Sequence, residues 1–137
     1  MHRALMLLAL ALAIGACTRP VPAPPPSAGT ATPAGLTRHI VVFKYKPGTR
    51  PEQIDEVTRA FGALRAQIPG IVAFEHGVNN SPEGLNLGFT HVHTLTFASP
   101  EARDAYLPHP AHRAFGQLLG RLGVVDAVFV VDYTPRE

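Results

Sequence analysis

The residues of this chain best suited to chemistry are imidazoles and phenols. Tyr106, His109 and His112 crowd around the Pro108-His109-Pro110 turn, while His39, His91 and His93 stand well upstream. Pro110 fits the first position of a helix, so His112 falls in that helix's first turn. The positive end of a helix dipole favours a neutral imidazole there, and a neutral imidazole is a competent general base near pH 7. Tyr106 ends the preceding helical segment, and the tight Pro-His-Pro turn can fold it back towards His112. A phenol beside an imidazole can polarise a carbonyl while the base removes an α-proton. A plainer reading stands beside this one. His109 and His112 would only start a helix, Tyr106 would be core with its hydroxyl at the surface, and His39 and His91 would be satisfied inside the fold.

A second arrangement uses the spacing of two. His91 and His93 lie two apart in a strand pattern and project from one face. With His39 from a neighbouring strand they offer three imidazoles to Zn2+ or another transition metal, the alternative to a metal-free site. The chain contains no phosphate-cradling glycine loop, serine-nucleophile elbow or dinucleotide fingerprint. Chemistry without a cofactor, or plain binding of a small molecule, is therefore expected.

The elements that must position these groups follow from pattern. His39 to Lys46 is β-branched and aromatic, a first strand ended by Pro47-Gly48. Thr49 with Glu52 suggests a capping box, and Ile54, Val57, Phe61, Leu64 and Ile68 recur at helical spacing up to Pro69-Gly70. Residues 71–78 and 90–97 read as strands around an Asn/Ser/Pro/Gly-rich loop. Ser99 caps a short helix through Tyr106, Pro110 starts another, and residues 127–133 close as a strand. The order is β-α-β-β-α-β, an α+β ferredoxin-like sandwich. Ile40 and Val42 make the second face of the first strand apolar as well. One chain has helices for only one face, so a homodimer, two sheets forming an α/β barrel, is expected.

The N-terminus has a separate logic. Met1-His2-Arg3 precedes an apolar run from Ala4 to Ile14, too short for the ~20 residues of a spanning helix. Ile14-Gly15-Ala16-Cys17 resembles the lipobox of bacterial lipoproteins, in which the cysteine thiol is diacylated, with chains such as palmitate, and the signal is cut just before that cysteine. That resemblance divides the chain into a signal peptide (1–16), lipidated Cys17 with a proline-rich tether (17–35), and one domain (36–137). It predicts a protein on the periplasmic side of the cell envelope, anchored in the outer membrane. Cys17 is the single cysteine, so no disulfide is possible within the chain. The formal net charge is only +2, and the loss of Arg3 with the signal lowers it further. No basic stripe for nucleic acid is present.

The segments His39–Lys44, Gly88-Phe89-Thr90-His91, Tyr106, His109-Pro110-Ala111-His112 and Asp132–Arg136 resemble, in order and spacing, the stress-responsive A/B barrel (Dabb) domain family. The resemblance implies a dimeric ferredoxin-like fold. It also brings a plant polyketide cyclase of that family into comparison. By that likeness Tyr106 would polarise a carbonyl and His112 would take the proton in an aldol-type ring closure, cyclase- or lyase-like. His39, His91 and His109 would contact the ligand. His93 departs from that cyclase, whose corresponding residue is apolar. A non-catalytic stress-associated protein binding a ligand or metal is the other expectation.

Overall fold

The computed structural model describes residues 35–136. The apolar N-terminal run, Cys17 and the proline-rich stretch lie outside the described residues. Among those described, no helix is long and apolar enough to cross a membrane. In chain order the elements are β1 (Thr37–Tyr45), α1 (Pro51–Gln67), β2 (Ile71–Val78), β3 (His91–Phe97), α2 (Pro100–Tyr106), α3 (Pro110–Leu122) and β4 (Val125–Tyr133). The strands form one sheet in the order β2-β3-β1-β4, with every neighbour antiparallel. This is the ferredoxin-like α+β arrangement expected from the sequence.

Register assigns each side chain to a face. His39, Val41 and Phe43 of β1 stand opposite Leu95, His93 and His91 of β3, and opposite Asp132, Val130 and Val128 of β4. Cross-strand partners share a face, so all of these look towards the helices. Phe43, Phe61, Leu64, Leu95, Phe97 and Tyr106 are buried there in one apolar cluster. Burying each such side chain favours the fold by roughly 1.5–3 kcal/mol. The opposite face of the sheet carries Ile40, Val42, Val92, Phe129, Val131 and Tyr133, and on β4 these side chains are exposed.

Two local expectations need correction. Helix α1 is capped at Arg50 rather than Thr49, with the Gln53 side chain accepting from the Arg50 amide. The Thr49 hydroxyl instead donates to the Lys46 carbonyl at 2.8 Å and tightens the turn after β1. Strands β1 and β4 both begin two residues earlier than their apolar runs suggest, because Thr37 pairs with Phe97 and Val125 with Tyr45. The His76 ring stacks on that of its cross-strand partner His93, 6.1 Å away, on the helix side.

Two caps set the short helices. The Ser99 hydroxyl accepts from the Ala102 amide to start α2, and His109 Nδ1 accepts from the Ala111 amide to start α3. Gly70 seats α2 against the sheet. Its φ is +90°, and a Cβ there would come within 2.7 Å of the Ala102 methyl.

Candidate functional site

Helix α3 stands away from β4 and leaves a cavity of about 250 Å³ over the β1–β4 half of the sheet. Its lining divides by chemistry. His39, Tyr106 and His112 gather at one end, and Val41, Phe43, Phe61, Phe115, Leu119, Val128 and Val130 supply apolar wall. Val128 and Val130 are 46% and 49% exposed although they lie on the helix side, because no helix covers β4.

Three of the proton-moving candidates therefore meet. The Tyr106 and His112 rings are 4.2 Å apart, and the Tyr106 and His39 rings 5.5 Å, so the phenol sits between two imidazoles. The Pro-His-Pro turn creates the first contact by folding α3 back over the end of α2. His112 Nδ1 lies 2.9 Å from the Leu107 carbonyl, which can only accept. That bond places a proton on Nδ1 and leaves Nε2 with the lone pair of a base. Burial pushes the Tyr106 phenol above its ordinary range, helped by the Asp132 carboxylate. The phenol stays protonated, and its hydroxyl is available to donate a hydrogen bond.

His39 is held in the same way from another side. Its Nδ1 lies 2.6 Å from Asp132 Oδ1, and Arg103 grips the other carboxylate oxygen. Burial lowers the His39 pKa, against the pull of Asp132. Asp132 entered the sequence reading only as the start of the family-matching segment Asp132–Arg136, and Arg103 not at all. Asp132 pairs directly with His39 across β1 and β4, a relation only the register reveals. The available signal was an acid two residues beyond Val130 and four beyond Val128, on the same alternating face.

The remaining candidates are placed elsewhere. His91 packs edge-on against Tyr45 and bonds the Thr90 hydroxyl at 2.9 Å, beyond the cavity lining. His109 turns back to cap α3, so its ring nitrogen is used by the helix itself. Neither His91 nor His109 is among the residues that line the cavity. His93 is buried beneath α1, among Phe43, Phe61 and Phe74, with Nε2 3.2 Å from the Thr58 hydroxyl. Burial, then His76 and His91, lower its pKa to about 4. His39, His91 and His93 thus face one side but engage separate partners. Among the described residues no group of three or more His, Cys, Asp or Glu side chains is arranged to hold a metal ion.

The model of the Stress responsive A/B Barrel Domain matches residues 37–135. The chain belongs to this family. A stress-response A/B barrel domain-containing protein of Arabidopsis thaliana is 38% identical over 101 residues, 74% of this chain and 91% of that protein. Olivetolic acid cyclase of Cannabis sativa is 29% identical over 100 residues, 73% of this chain and 97% of the cyclase. Among solved structures, hydroxynitrile lyase from Passiflora edulis superposes with a TM-score of 0.68 at 26% identity, covering 77% of this chain and 97% of the lyase. A protein from Jannaschia sp., described as dimeric and ferredoxin-like, superposes at 0.62 with 27% identity, covering 74% of this chain and all of that one. The A/B barrel domain here is thus similar to a cyclase, a lyase and a protein described as dimeric.

Proposed function

We propose that this A/B barrel domain binds a small carbonyl-bearing or aromatic molecule in the α3–β4 cavity and acts on it by acid–base catalysis, without a cofactor. The observation that carries this reading is the Tyr106–His112 pair, rings 4.2 Å apart, at the polar end of an otherwise apolar cavity. His112 Nε2 takes an α-proton from the bound carbonyl compound. The electron pair of the broken C–H bond moves into the carbonyl, and the Tyr106 hydroxyl donates to the resulting enolate oxygen. The enolate carbon then adds to a carbonyl carbon, whose C=O π pair moves to oxygen and takes the proton from His112, or it recovers that proton itself. Similarity to proteins named as a cyclase and a lyase supports such chemistry, and the ligand's identity is open to screening. The test is incubation of the protein with acetophenone in D2O. Binding together with faster loss of the methyl proton signal than in free imidazole supports catalysis. Binding with no acceleration leaves a non-catalytic binding protein.

We further propose that acyl chains on Cys17 hold the domain at the periplasmic side of the outer membrane. Cys17→Ser is expected to move the protein from the membrane to the soluble fraction and to abolish palmitate labelling. Unchanged fractionation and labelling overturn the anchor.

A further inference from the structure

Gly116 lies inside α3, where glycine is unfavourable because it loses the most backbone freedom on folding. Packing does not demand it: a Cβ built at Gly116 meets no atom within 4 Å, and its φ is not in the left-handed region. Spacing explains where that open volume lies. His112, Gly116 and Leu119 stand at i, i+4 and i+7 on α3, which places them on one stripe, and all three line the cavity. Across from that stripe are Val128 and Val130 of β4.

The charge of the lining restricts the ligand's head. Its polar groups are two imidazoles and one phenol, and no Lys or Arg is among them. Arg103, behind the polar end, is already committed to Asp132, whose carboxylate backs His39. A carboxylate ligand would lose water there without gaining a counter-ion. A volume of about 250 Å³ also falls below the roughly 300–1,000 Å³ of drug-sized sites.

We infer that Gly116 is a specificity-determining residue, keeping open the part of the cavity that takes the apolar body of an uncharged carbonyl ligand whose head lies at His39, Tyr106 and His112. This rests on the ligand-binding reading above and adds the ligand's charge and the residue that limits its size. Gly120 supplies an internal control, one turn farther along α3, equally free of neighbours and outside the lining.

The test is titration of the full chain with 4-butylacetophenone and with 4-butylbenzoate, followed by calorimetry and by circular-dichroism melting. Wild type is expected to prefer the ketone by about tenfold or more, the scale of an unpaired charge in an apolar site. Gly116→Leu is expected to weaken ketone binding by about tenfold or more, while Gly120→Leu leaves it within about twofold. Gly116→Ala is expected to raise the melting temperature and still weaken binding, so a loss of affinity is separable from a loss of fold. Ketone affinity equal in wild type and both Gly116 variants overturns the inference alone. Equal or tighter binding of the benzoate overturns the uncharged-head assignment. No ketone binding by wild type overturns the ligand-pocket reading and this inference with it.

Discussion

At the scale of single residues, the proposed chemistry rests on Tyr106 and His112, and His93 carries a pH liability. His112→Ala removes the proposed Nε2 base while leaving the Tyr106 phenol in place. Ketone α-proton exchange is expected to fall by about 10²–10⁴-fold, the usual contribution of a positioned base, with ligand affinity much less affected. Proton NMR of the exchange in D2O checks both. His93 acts on stability. Its pKa is lowered to about 4 by burial and by His76 and His91, whereas the unfolded chain titrates it near 6.5. Above 6.5 both states hold it neutral and the fold keeps its full stability. As pH falls from 6.5 towards 4 the unfolded state takes up the proton first, so stability drops by up to about 3 kcal/mol. Burial lowers the His39 and His91 pKa values too, and both add in the same direction. Urea unfolding at pH 7.5 and 4.5 should show a smaller loss in His93→Phe, whose ring fits among Phe43, Phe61 and Phe74, than in wild type. Equal losses would clear His93 as the source.

At the scale of elements, α2 and its junctions decide where Tyr106 stands. Gly70→Ala forces a non-glycine residue to φ +90° and drives a methyl to 2.7 Å from Ala102. A destabilisation of about 1–3 kcal/mol is expected by urea unfolding, with ligand affinity falling because the shift moves α2. This scale also separates what the sequence discloses from what it conceals. Period-two alternation and the Pro-Gly breaks were enough to order the strands, and Ser99 and Pro110 marked α2 and α3. Alternation placed His39, His91 and His93 on one face correctly, yet it says nothing about position along that face. His91 stands in the row of Phe43 and Val128, two rows from His39 and Asp132, and its ring meets Tyr45 instead of the cavity. His109 was ambiguous for a different reason. An imidazole at a helix start either caps or contacts ligand, and only the Nδ1 bond to the Ala111 amide decides. Asp132 needed the β1–β4 register, which is a long-range fact with no local pattern.

At the scale of the molecule, the sheet's uncovered side determines assembly. Phe129, Val131 and Tyr133 are 52%, 40% and 48% exposed, a contiguous apolar surface with Ile40 and Val42 of the kind that marks protein contacts. Solved relatives described as dimeric and ferredoxin-like, the Jannaschia protein among them, fit this surface. Val131→Glu at its centre is expected to convert a dimer into a monomer, as read by sedimentation equilibrium. A wild-type monomer at micromolar concentration would refute the assembly. Strand β4 gives that surface a second meaning, because its alternate residues belong to different environments. Val128, Val130 and Asp132 form the floor and polar backing of the cavity, while Phe129, Val131 and Tyr133 point through the sheet to the other side. A ribbon one residue thick cannot be stiffened on one side and left loose on the other. Subunit pairing and ligand occupancy of the cavity would then draw on the same strand, and where ordering it for one favours the other, reciprocity gives both the same factor. Apparent affinity for a ligand would climb with protein concentration, and a saturating ligand would hold subunits together at dilutions where the empty protein separates.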